Sequence, residues 1–278
     1  MFDTKQGYWQ KRKRAWKEAG LKGECGRADE LLGGGLKKLA VKQGTNLTGT
    51  SIFDPVLCEI IYNWYCPKGG IVFDPFAGGS VRGIAAEKLG RHYIGIDLSE
   101  KQIDANRVNA DVFGVCPAWH CDDSKNMDAY IPNGCADLVF SCPPYHDLEK
   151  YSNHPLDLSN MAYDDFAAAY REIISKSCDK LKENRFAVFV VGDIRDKKGA
   201  YRDFISLTKQ CFQDAGLRLY NENILLEQYG TAPIRAGAQF SKSRKTVKVH
   251  QNVLVFYKGN MNSIKDNFEN SFEWAELT

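Results

Sequence analysis

The chain has no apolar run long enough to cross a bilayer. Its longest, Phe186 to Val191, has six residues, against the roughly 18 that a membrane helix needs. Nine cysteines include no Cys-x-x-Cys pair. An odd count without zinc spacing supports neither a disulfide framework nor a structural zinc site. His92, His120, His154 and His250 show no metal spacing either, so no metal is expected. The N-terminus is polar and basic, without the apolar core of an export signal. These absences give the expectation of reduced thiols in a cytoplasmic protein that does not enter a membrane. Internal repeats and low-complexity tracts are also missing. Hydrophobic residues at 44% and charged residues at 26% exclude a disordered, collagenous or coiled-coil chain. A length of 278 residues suits one large domain, or one domain with a small appendage.

Charge is not lacking, but it is uneven. A net charge of +2 conceals seven Lys or Arg against two acids in residues 1–22, with Lys11-Arg12-Lys13-Arg14 between Trp9 and Trp16. Residues 229–250 hold Arg235, Lys242, Arg244, Lys245 and Lys248 and no acid. Charge runs are often only solvated faces, yet two basic strips on a nearly neutral chain are the footprint of a polyanion binder.

Order is expected to start at Asp54-Pro55, an N-cap followed by proline at the first helical position. Val56, Leu57, Ile60, Ile61, Trp64 and Tyr65 follow at helical spacing. Strands and helices then alternate. Strands are predicted at 71–73, 92–98, 118–121, 136–140 and 186–191. Helices are predicted from Val81, from Ser99 to Phe113, through Phe166–Leu181 and over 201–215. Two final strands, 217–227 and 249–257, have a basic insert and no helix between them. The pattern predicts a doubly wound α/β fold with a mostly parallel seven-stranded sheet and an antiparallel edge strand. A basic N-terminal arm (1–47) precedes the main domain (48–259), which carries the insert at 229–250, and a tail (260–278) follows.

Ligands of such sheets bind at the carboxyl ends of the strands. Asp74-Pro75-Phe76-Ala77-Gly78-Gly79-Ser80 ends the first strand, and its glycines allow close backbone approach to a ligand. Asp97 ends the second strand, where an acid accepts ribose hydroxyls. The G-x-G-x-x-G fingerprint of dinucleotide sites fails here, because Gly78 and Gly79 are adjacent and Ser80 follows. A carboxylate at Asp74 suits a ligand bearing an ammonium group, such as S-adenosylmethionine, better than a pyrophosphate. Ser141-Cys142-Pro143-Pro144-Tyr145 ends the fourth strand. Two prolines give a rigid, extended backbone without N–H donors, leaving carbonyls to accept from an exocyclic amine and Tyr145 to stack on a flat ring. That is how a flipped nucleobase is held.

These motifs resemble those of the DNA amino-methyltransferases of bacterial or phage type, whose cofactor motif is D-P-F-x-G-x-G and whose catalytic motif is [D/N/S]-P-P-Y. Thr50-Ser51-Ile52-Phe53-Asp54-Pro55 resembles the element beneath the methionine end of the cofactor. The resemblance covers about residues 48–259. It implies a class I methyltransferase fold, S-adenosylmethionine as cofactor and double-stranded DNA as partner, with the target N6 of adenine or N4 of cytosine. Ser51, Phe53, Asp74, Phe76, Ala77, Gly78, Gly79, Asp97, Leu98 and Asp122 would serve the cofactor. Ser141, Cys142, Pro143, Pro144 and Tyr145 would serve catalysis. Arg235, Gln239, Lys242, Arg244, Lys245 and Lys248 would lie in the variable DNA-reading position.

Two positions depart from the pattern. Ser80 replaces the third glycine, and Cys142 stands where Asp, Asn or Ser precedes the prolines. A thiol is a poor acceptor, so Ser141 or a backbone carbonyl would take the second amine hydrogen. A C5-pyrimidine methyltransferase would place its nucleophilic cysteine after the proline, and no cation adjoins Cys142 in sequence to lower its pKa, so a packing thiol is the expectation. RNA or tRNA base methylation and a cofactor-binding regulator without catalysis remain alternatives. Asp122 and Asp123 end the third strand, where helix capping competes with a contact to the cofactor's adenine. His146, Asp147, Glu149 and Lys150 follow the Pro-Pro-Tyr turn and would line the same mouth.

Overall fold

A computed structural model describes residues 1–23, 53–146, 154–227, 232–268 and 271–277, without the side chains of 232–235. The elements run β1 (Phe2–Asp3), α1 (Gly7–Glu18), α2 (Pro55–Tyr65), β2 (Ile71–Asp74), α3 (Val81–Lys88), β3 (His92–Asp97), α4 (Glu100–Val112) and β4 (Ala118–Cys121). Then come β5 (Ala136–Ser141), α5 (Tyr163–Lys180), β6 (Leu181–Val191), α6 (Phe204–Asp214), β7 (Arg218–Leu226), α7 (Ala232–Ser243) and β8 (His250–Lys258). The expected caps are in place. Asp54 accepts the Val56 N–H at 3.0 Å with Pro55 behind it, and Ser99 accepts the Gln102 N–H at 3.2 Å.

One sheet has the order β1-β7-β8-β6-β5-β2-β3-β4. Its central strands are buried on both faces, so their apolar runs are continuous and odd and even residues serve different cores. In β6, Phe186, Val188 and Val190 face one cluster with Trp9, Trp16, Ile61 and Ile84. Ala187, Phe189 and Val191 face the other, with Phe166, Tyr170, Phe204 and Phe212. Helices α1 to α4 thus cover one face, α5 and α6 the other.

The doubly wound architecture is as expected, with three differences. The sheet has eight strands rather than seven, because Phe2–Asp3 adds a parallel strand beside β7. The antiparallel strand is interior, not at an edge: β8 lies between β6 and β7 and is antiparallel to both. Asn252 to Tyr257 are six consecutive buried residues that need neighbours on both sides, while β7 is largely exposed. The basic insert, expected without a helix, contains α7. Residues 236–243 of α7 are largely exposed, Phe240 among them, so no core-facing stripe marked the helix in the sequence.

The basic N-terminal segment is part of the fold over its described residues. Trp9 and Trp16 are fully buried on α1. Arg12 grips the fully buried Glu59 with Nε and Nη2, at 2.9 and 2.5 Å from Oε2 and Oε1, and also donates to the Ala275 carbonyl. Ala275 returns its N–H to Glu59 at 2.9 Å, and Lys13 pairs with Asp54 at 2.8 Å. Both chain ends are thereby strapped onto α2, and of the four-residue basic run only Lys11 and Arg14 stay exposed.

Candidate active site

Strand β2 has β3 on one side and β5 on the other, so chain connections diverge there and leave a crevice above the strand ends. Two of the expected motifs meet at this crevice. After β2 the backbone turns through Gly78, whose φ of 49° favours glycine. A β-carbon at Gly79 would approach the Gly23 carbonyl to 3.3 Å. Asp97 Oδ2 accepts the Gly78 N–H at 2.9 Å and Oδ1 accepts the Ser99 N–H at 2.8 Å. Asn106 donates to the Gly78 carbonyl at 2.7 Å. Asp97 is half-buried, and burial pushes its carboxyl above the ordinary range while the two N–H donors oppose that. Each oxygen carries one donor, so lone pairs remain for ligand hydroxyls. Half-exposed Phe76 and Leu98 flank the loop, and Ala77 is buried within it.

Asp74 faces inward. Fully buried, it accepts from Arg82 Nε at 2.5 Å and Tyr93 Oη at 2.7 Å on one oxygen, and from Ser141 Oγ at 2.5 Å and the Phe76 N–H at 3.1 Å on the other. Four donors fill its acceptor sites, so its carboxylate shapes the loop; the expectation that it offers an oxygen to a ligand's ammonium does not match this geometry. Arg82 escaped the sequence reading. Its Nη2 donates to the Phe76 and Ala77 carbonyls at 2.7 and 3.0 Å, and its guanidinium lies 4.5 Å from the Phe53 ring centre. Burial opposes the Arg82 charge, but the Asp74 carboxylate outweighs it and holds the pKa above the ordinary value. Only its place on the first turn of α3, aimed back under the loop, could have signalled this role.

Ser141 is wholly buried at the end of β5 and bonded to Asp74, which ties the two motifs together and leaves its hydroxyl turned away from solvent. Cys142 is half-buried, and burial pushes its thiol up despite nearby Arg82, as a packing thiol should behave. Pro143 is buried, Pro144 half-buried. Tyr145 is half-buried, edge-on to Phe204 with ring centres 6.0 Å apart, and its hydroxyl accepts from Gln251 at 2.8 Å. His146, with φ of 41°, is buried against Tyr163 and Phe166, and its Nε2 lies 3.0 Å from the Met161 carbonyl. Asp147, Glu149 and Lys150 lie outside the described residues, as does Ser51.

At the end of β4, Asp122 accepts from Asn126 and Tyr130, both at 2.8 Å, and these bonds hold its carboxyl low. Asp123 accepts the Lys125 N–H as the cap of a short turn, so of the two acids it is Asp123 that caps. Glu227, unnoticed in the sequence, is half-buried at the end of β7 near Lys13 and Asp54, and burial raises its carboxyl. In the basic strip, Gln239, Lys242 and Arg244 are exposed, Lys245 and Lys248 are half-exposed, and the Arg235 side chain is outside the description.

Residues 54–107 match the family model described as DNA methylase. Among solved structures, TrmN from Thermus thermophilus superposes with a TM-score of 0.51 at 17% identity, covering 74% of this chain and 49% of that one. The chain therefore spans about half the length of TrmN. The [4+2]-cyclase SpnF also superposes at 0.51, with 13% identity and coverage of 74% and 82%. A methyltransferase and a cyclase share this architecture, so the fold does not fix the reaction. The matched segment runs from the Asp54 cap through the glycine loop to Asp97 and into α4. The chain has the class I methyltransferase fold and, over residues 54–107, is similar to the DNA methylases.

Proposed function

We propose that the chain transfers a methyl group from S-adenosylmethionine to an exocyclic amine of a flipped DNA base, N6 of adenine or N4 of cytosine. The observation that carries this reading is the 2.5 Å bond from Ser141 to Asp74, which fixes the Pro-Pro-Tyr turn beside the glycine loop on adjacent strands. In this reading Asp97 accepts the ribose hydroxyls, Asp122 the adenine amine, and Phe53, Phe76 and Leu98 give apolar contact, with the Ala77–Gly79 backbone closing over them. Bound S-adenosylmethionine supplies an electrophilic methyl group. Tyr145 stacks on the extruded base, held in orientation by Gln251. The Pro143 carbonyl accepts one amine hydrogen and draws the nitrogen lone pair out of conjugation. With Ser141 Oγ committed to Asp74, the second hydrogen falls to a backbone carbonyl. Acceleration then comes from positioning and from preorganised acceptors around the nitrogen as it becomes positive.

The substrate class is tested by incubating the protein with methyl-tritiated cofactor and either duplex DNA or tRNA. Label in DNA is expected. Label in tRNA alone would replace the DNA reading with RNA base methylation, and label in neither would leave a binding protein.

A further inference from the structure

Between β6 and α6 the chain makes an excursion, residues 193–203, that the site described above does not use. It leaves the sheet at Gly192 and returns at Phe204, and both ends flank Tyr145. A β-carbon at Gly192 would lie 3.8 Å from the Tyr145 hydroxyl, and Phe204 is its edge-on ring neighbour. Because β6 runs parallel to β5, the excursion emerges at the same end of the sheet as the Pro-Pro-Tyr turn.

The excursion is a stiff hairpin. Arg195 and Tyr201 pair as an antiparallel bridge, and the Asp196 N–H donates to the Ala200 carbonyl at 2.8 Å. Gly199, at φ of 96°, makes the turn. The Arg195 guanidinium lies 3.8 Å from the centre of the exposed Tyr201 ring and donates to the Gly199 carbonyl at 2.7 Å. Two of its acids are occupied by its own backbone: Asp196 takes the N–H groups of Gly199 and Ala200, and Asp193 that of Phe204. Lys197 and Lys198 are exposed at the tip, in no ion pair among the described residues. The strip after α7 meets this tip. A β-carbon at Gly199 would collide with the Lys245 side chain, its Cε 2.7 Å away, and Lys248 Nζ sits 3.9 Å from Asp193.

We propose that the 193–203 hairpin is a second nucleic-acid-contacting element, whose Lys197 and Lys198 bind backbone phosphates of duplex DNA beside the target base. It acts together with the Lys242–Lys248 strip. This rests on the DNA reading above. Exposed ammonium groups are point charges suited to phosphate. A hairpin already braced by Arg195, Tyr201 and Lys245 loses little freedom on binding. Convergence of the two basic elements near Tyr145 would hold the duplex beside the extruded nucleotide.

The test compares wild type with Lys197→Ala/Lys198→Ala by fluorescence anisotropy on duplex DNA and on tRNA across a salt series, with cofactor affinity measured by calorimetry. Each lost phosphate contact lowers the log–log salt slope by about 0.9, so a fall of about two units on duplexes of any sequence is expected, at unchanged cofactor affinity. If wild type binds duplex and the variant matches it in slope and affinity, the hairpin is a solvated turn and the proposal fails while the DNA reading stands. If wild type has no duplex affinity, both fall. A slope change confined to tRNA overturns the proposal in favour of an RNA partner.

Discussion

Asp74 and Asp97 end adjacent strands and do different work. Asp97 keeps lone pairs free at the crevice, so Asp97→Ala should weaken S-adenosylmethionine binding about ten- to a hundredfold, charge-assisted bonds being worth about 1.5–3 kcal/mol each before water compensates. Calorimetry giving wild-type affinity in a folded variant contradicts that role. Asp74 is a buried charge balanced by Arg82. Arg82→Met strands that carboxylate among neutral donors and should cost about 3–5 kcal/mol, read by denaturant unfolding; a loss below 1 kcal/mol would mean that the pair does not hold the loop. Cys142, its thiol raised by burial, should react with iodoacetamide at pH 7 more slowly than exposed Cys116. Cys142→Ser should keep much of the methyl transfer, and a covalent adduct with fluorinated-pyrimidine DNA would contradict this. Asp97 was legible because its place at a strand end is set by local spacing. Arg82 was not, because an arginine on a helix acquires meaning only when the fold aims it at two carbonyls and a carboxylate.

At the scale of elements, β5 is stitched to its neighbours at its lower end by Asp137, which accepts from Ile71 N–H at 3.0 Å, Lys182 at 2.7 Å and Arg185 at 3.0 Å. Burial works to raise this carboxyl, but Lys182, the Ile71 N–H and Arg185 outweigh it and leave the pKa below the ordinary value. A depressed carboxyl stabilises the fold above its unfolded pKa, about 3.9, and that contribution is lost as pH falls through the folded value. Asp137→Asn should therefore lower Tm at neutral pH, and the gap to wild type should close as pH falls from about 4 toward 2. A gap independent of pH would show that the charge is not what matters. Most elements were readable because two-sided burial writes continuous apolar strands such as Phe186–Val191 and caps such as Asp54-Pro55. Helix α7 was not, since it buries little. Nor was the place of β8, because strand order depends on which strand needs two neighbours.

For the whole molecule, one crevice joins the glycine loop to the Pro-Pro-Tyr turn, and basic elements gather at the same end of the sheet. The N-terminal charges looked like a free arm because a sequence lists Arg12 and Lys13 without Glu59 and Asp54; folding spends them on ion pairs. In the DNA reading proposed above, phosphate contacts fall to the Lys242–Lys248 strip and the 193–203 hairpin, besides the exposed Lys11 and Arg14. The central claim is the atom that receives the methyl group. Duplex DNA treated with the protein and S-adenosylmethionine, digested to nucleosides and resolved by mass spectrometry, should contain N6-methyladenine or N4-methylcytosine, absent when Tyr145 is replaced by alanine. Recovery of 5-methylcytosine, or of methyl groups only on RNA nucleosides, would contradict it.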